Sequence, residues 1–140
     1  MKTLCLIFVS AFYALPSFSQ EFLGLNLNSF KNKAGNQWEF IEYSDGTIDA
    51  VAKFTFGKAT YHIADSKVYG YTEEYNDREN YQAKLASFKT YPKLDENAWL
   101  FVHPKTRAKI FISLKDPDSN KMQLFYGLAH DDENIEDITE

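Results

Sequence analysis

Thr47-Ile48-Asp49-Ala50-Val51-Ala52-Lys53-Phe54-Thr55-Phe56 is the stretch whose reading decides the fold. Ile48, Ala50, Ala52, Phe54 and Phe56 alternate with Thr47, Asp49, Val51, Lys53 and Thr55. A period of two held this long predicts a strand with one buried and one wet face, as in an antiparallel sheet. Turn chemistry bounds it on both sides. Upstream, Ser44-Asp45-Gly46-Thr47 sets an Asp-Gly pair between apolar runs, a hairpin signal because both residues tolerate positive φ. Downstream, Gly57-Lys58 reads as a two-residue reversal with glycine in the first central position.

Neighbouring segments extend the pattern. Trp38 to Tyr43 reads as a strand with Trp38 and Phe40 on one face and Ile41 and Tyr43 on the other. Ala59, Tyr61 and Ile63 point inward opposite Thr60 and His62. Residues 67–75 set Tyr69, Tyr71 and Tyr75 on one face, and segments 98–103, 108–115 and 122–126 alternate again. Between the two groups, Asn76 and Glu79 have capping-box spacing. Tyr81, Leu85 and Phe88 then recur at helical steps, which predicts an amphipathic helix at about 76–90, ending before Pro92. A further strand competes there, since Tyr81, Ala83 and Leu85 also alternate. Glu21 to Gly35 is rich in asparagine and reads as loop or a short turn. The expected fold class is therefore mainly β: an antiparallel meander of about seven strands, barrel-like or strongly curved, with one helix against it.

The ends read differently. Met1-Lys2, an apolar run from Leu4 to Leu15, Pro16 and the small residues Ser17 and Ser19 form a secretory signal pattern with cleavage near Ser19/Gln20. The run is too short to span a bilayer. Residues 20–130 read as a single domain that is secreted or periplasmic, and not membrane-spanning. The only cysteine, Cys5, lies within the signal, so the exported form has neither disulfide nor thiol chemistry. Residues 131–140 carry Asp131, Asp132, Glu133, Glu136, Asp137 and Glu140 without a base, and read as a solvated, disordered tail. The body from Gln20 to His130 then balances at 14 bases and 14 acids. Without a basic field, nucleic acid is excluded as a partner.

Chemistry-bearing motifs are sparse. His62, His103 and His130 lack metal-clamp spacing, and no nucleophile elbow or phosphate loop is present. Asp116-x-Asp118-x-Asn120 starts like a calcium loop, but Lys121 stands where the turn needs glycine and Gly127 where the bidentate glutamate belongs. Asp45 with Asp49, and Glu73 with Glu74, read as solvated charges on turns or polar strand faces rather than as a catalytic pair. No metal, cofactor or catalytic residue is assigned, and the chain reads as non-enzymatic. Its aromatic residues remain. Trp38, Tyr61, Tyr69, Tyr71 and Tyr75 are candidates to line a concavity, because tyrosine combines an apolar ring with a polar handle.

Asn36-Gln37-Trp38-Glu39-Phe40-Ile41-Glu42, the Asp-Gly hairpin, Phe54-Thr55-Phe56-Gly57-Lys58 and the closing Lys121-Met122-Gln123-Leu124 together resemble small bacterial secreted lipocalin-like domains of the calycin type. That resemblance implies an antiparallel barrel. The functional expectation is an exported domain binding a small apolar or amphipathic molecule in an aromatic-lined concavity. The alternative is an interaction or inhibitor module that meets an envelope or extracellular protein through a strand edge or the acidic tail.

Overall fold

The structure, a computed structural model, describes residues 22–104, 107–118 and 120–129. The candidate signal segment and the acidic tail lie outside these residues. Helix α1 (Leu27–Ala34) precedes strands β1 (Glu39–Glu42), β2 (Ile48–Phe54), β3 (Gly57–Ala64) and β4 (Lys67–Tyr75). Helix α2 (Arg78–Ala86) then leads to β5 (Lys93–Asp95), β6 (Ala98–Val102), β7 (Lys109–Lys115) and β8 (Met122–Leu128). All eight strands form one antiparallel sheet in the order β1-β2-β3-β4-β8-β7-β6-β5.

That order corrects two expectations. The sheet is not closed into a barrel: β1 and β5 are its edges. Nor is it a simple meander. After β4 the chain crosses through α2 to the far edge and returns strand by strand, so β8 docks beside β4. Eight strands replace seven because Lys93–Asp95, only three residues long, pairs with β6. Among the described residues two helices stand where one is expected. Asn26, read as a loop residue, is the N-cap of α1, its side chain accepting from Ser29 N at 2.8 Å. This is the capping role for which asparagine is favoured.

The helix expected at about 76–90 is α2, and the competing strand is absent. Its cap is Asp77 rather than Asn76, accepting from Glu79 N at 2.7 Å. The hairpins differ in detail. Between β1 and β2, Tyr43 and Thr47 still pair through Tyr43 N–H, leaving Ser44-Asp45-Gly46 as a three-residue loop with Gly46 at φ 89°. Gly57 is not a central turn residue. It pairs with Phe54, so Thr55-Phe56 makes the reversal. Asp65-Ser66, both at positive φ, turns β3 into β4.

The core lies on one face of the sheet. Ala50, Ala52, Ala59, Tyr61, Ile63, Tyr71, Tyr75, Leu124, Tyr126, Ile110, Ile112 and Trp99 are buried there. Phe30 of α1 packs on Tyr61 at 5.1 Å between ring centroids, and Tyr81 of α2 on Tyr75 at 5.8 Å. Both helices therefore cover this face. No described helix covers the other.

Candidate functional site

The uncovered face can be laid out from strand register alone, because alternate residues of each strand point to it. One row crosses the sheet as Lys53, Lys58, Glu74, Gln123 and Lys115; the next as Val51, Thr60, Thr72, Phe125 and Ser113. A third runs Asp49, His62, Gly70, Gly127 and Phe111. Neighbouring rows lie about 7 Å apart, two residues of strand rise. Polar side chains thus gather over β2, β3 and β4, and aromatic ones over β8 and β7.

A cleft of about 170 Å³ opens among the polar ones, lined by Asp49, Lys58, Thr60, His62, Thr72, Glu74, Lys115 and Gln123. His62 organises it. Its Nδ1 lies 2.9 Å from Asp49 Oδ1 and its Nε2 2.7 Å from Thr72 Oγ1. An aspartate carboxylate only accepts hydrogen bonds, so in the neutral ring Nδ1–H donates to Asp49 and Nε2 accepts from the Thr72 hydroxyl. Asp49 also accepts from Tyr43 O–H at 3.0 Å, and Lys58 pairs with Glu74 at 3.4 Å.

Beside the cleft, the cross-strand pair Gly70 and Gly127 leaves a gap that Phe125 and Phe111 fill. A Cβ at either glycine would fall 2.7–2.9 Å from their rings. Phe125 stands 5.7 Å from Phe111 and 6.1 Å from His62, and Tyr69 stands 5.9 Å from His62. His62 therefore touches both the polar and the aromatic halves. The Asp49–His62–Thr72 chain could move a proton between Thr72 and the ring. β4 is a central strand paired on both edges, however, so its backbone N–H groups are committed to the ladders and leave no oxyanion pocket beside Thr72. Among the described residues no group of three or more His, Cys, Asp or Glu side chains is arranged to hold a metal, and no helix is long and apolar enough to cross a membrane.

The residues singled out from sequence fall in two places. Trp38, Tyr61, Tyr71 and Tyr75 come together on the core face, all at most 5 % exposed. Trp38 meets Tyr61 at 5.0 Å and Tyr61 meets Tyr71 at 4.6 Å, so these rings pack on one another. The Trp38 Nε1–H is buried without a hydrogen-bond partner among the described residues. Tyr69 is elsewhere. A bulge between His62 and Ile63 makes it the extra residue of β4, turned out beside His62 and 50 % exposed.

Glu73 also corrects the sequence reading, which set it on a polar face. It shares the inward face with Tyr71 and Tyr75 and is 1 % exposed. Its Oε1 accepts from Tyr126 O–H at 2.7 Å and Tyr75 O–H at 3.1 Å, and its Oε2 from Tyr71 O–H at 3.2 Å. Burial, then the Glu73 charge, pushes all three phenols up, Tyr71 and Tyr126 well above the ordinary range. Lys84 of α2, 3 % exposed, is pushed down by burial and pulled back up by Glu73.

Phenols raised in the fold contribute stability that is complete below their unfolded value of about 10 and lost as pH rises beyond it. Each proton is worth about 1.4 kcal/mol per pH unit, so the three together give a fall of about 4 kcal/mol per unit. Lys84 works in the opposite sense, its burial penalty easing as pH climbs toward its unfolded value of about 10.5. A steep alkaline unfolding above about pH 10 is therefore expected by circular dichroism, its slope reduced by about a third in Tyr126→Phe. No family model, curated protein or solved structure matches this chain.

Proposed function

We propose that this chain is an exported, non-enzymatic β domain that binds a small amphipathic molecule on the uncovered face of its sheet. One observation carries the reading: His62 joins a polar cleft to an aromatic patch, so one ligand can meet hydrogen-bonding groups and ring faces together. Aromatic side chains offer apolar area at low entropic cost, and a few placed polar groups orient the ligand. This moves the ligand away from the core tyrosines, whose rings already contact one another.

A second reading has its own support. β1 is an edge strand that exposes Ile41 and whose end exposes Tyr43, 41 % and 47 % accessible, which suits docking by an envelope or extracellular protein. A saturation-transfer NMR screen of small aryl alcohols, amines, carboxylates and glycosides separates the two. The ligand reading expects binders whose signal is lost in Thr72→Val and in Phe125→Ala. It is overturned if nothing binds, or if binding survives undiminished in both variants.

A further inference from the structure

We infer that the ligand of the uncovered face is a monocarboxylate bearing an aryl or alkyl group, and that His62 takes up a proton when it binds. This rests on reading that face as a small-molecule site, and it adds the chemical class.

Charge comes first. The charged residues that line the cleft beside His62 are the cations Lys58 and Lys115 and the anions Asp49 and Glu74. Glu74 is paired with Lys58, and Asp49 is held by His62 and Tyr43. Lys115 lines the cleft without an ion pair among the described residues, next to the Gln123 amide opposite it in the ladder. With His62 neutral these four charges cancel, and with His62 protonated the cleft carries one net positive charge, which matches a single negative charge on the ligand.

Proton geometry comes next. While His62 is neutral, the Thr72 hydroxyl proton is spent on Nε2, and Thr72 offers the cleft only oxygen lone pairs, which repel a carboxylate. When Nε2 gains a proton it donates to Thr72 Oγ1, and the hydroxyl proton is freed to donate into the cleft. One protonation thus adds a positive charge and reverses the polarity of Thr72. The groups arranged around His62 are Tyr43 and Asp49 from the first hairpin, Lys58 and Thr60 on its own strand, and Tyr69, Thr72 and Glu74 on β4. Gln123 and Phe125 on β8 and Lys115 on β7 complete the set. Asp49 is already committed to Nδ1, so the exchange takes place at Nε2.

Size and placement complete the match. A cleft of about 170 Å³ has room for a carboxylate together with the first part of the group that bears it. Phe125 lies opposite Thr72 in the same row, one strand over, and its ring leads on to that of Phe111 at 5.7 Å. Phenylacetate has this span, and phenylacetamide is its uncharged counterpart.

Isothermal titration of the purified protein with both probes tests the inference, between about pH 5.5 and 8, where histidine is the side chain that ordinarily titrates. Phenylacetate is expected to bind about tenfold or more tightly than phenylacetamide at the acidic end, one decade being the effect of one good charge-assisted contact. Its affinity should fall by up to tenfold per pH unit as one proton is lost, and its heat should vary between buffers of different ionisation enthalpy. His62→Gln should abolish that pH dependence. Equal binding of both probes, pH-independent binding, or binding of neither while the screen still finds ligands on this face overturns the carboxylate and leaves the site. Binding of neither probe together with an empty screen overturns both.

Discussion

Replacing Glu73 by alanine is expected to destabilise the protein by about 3–5 kcal/mol, the range for removing one partner of a buried charged network. The carboxylate is the common acceptor for three tyrosine hydroxyls from two paired strands, Tyr71 and Tyr75 on β4 and Tyr126 on β8. Each is buried, and each stranded hydroxyl costs about 1–3 kcal/mol. Lys84 would lose the Glu73 charge that favours its ammonium form. Glu73→Gln should be milder, at about 1–2 kcal/mol, since its amide oxygen can still accept from Tyr75 and Tyr126. Urea unfolding of both variants measures the difference. A loss below about 1 kcal/mol in Glu73→Ala would contradict a shared-acceptor network.

Gly57→Ala should cost about 3 kcal/mol or more, or prevent folding, because backbone meets backbone. A Cβ there would lie 1.9 Å from the Glu74 carbonyl oxygen and 3.2 Å from Tyr75 Cα, and the residue sits at φ 150°. No rotamer change relieves such a contact. The strands would have to part where Gly57 pairs with Tyr75, at the start of the β3–β4 ladder. Gly46→Ala is the control. Its φ is 89° but nothing lies within 4 Å of its Cβ, so only the left-handed backbone penalty of about 1–2 kcal/mol applies. Thermal unfolding of the pair should separate them clearly; similar losses would contradict the close approach.

Much of this fold was legible in the chain. The alternation from Ile48 to Phe54 is β2, the Asp-Gly signal marks a real hairpin, and the helical spacing of Tyr81, Leu85 and Phe88 marks α2 and the turn after it. What was hidden depends on contacts made at a distance. Helix α1 sits behind asparagines that read as loop until Asn26 is seen to cap it. The docking of β8 beside β4 is a choice among pairings that periodicity alone cannot rank. Asp49, His62 and Thr72 stand on three strands, and only the β2–β3–β4 register brings them together. Sequence spacing groups Tyr69 with Tyr71 and Tyr75, because one bulge reverses its direction without breaking the pattern. Sequence alone sets Glu73 in solvent, because a carboxylate on an inward face is rare unless hydroxyls receive it, and the third of these comes from 53 residues away.

Amide chemical-shift mapping with a ligand from the screen tests the central claim most directly. The expected result is a set of perturbed amides confined to Asp49, Thr60, His62, Thr72, Gln123 and Phe125 on the uncovered face. Perturbations centred instead on Trp38, Tyr61 and Tyr71, around the unpartnered indole N–H, would place the ligand in the core and contradict it.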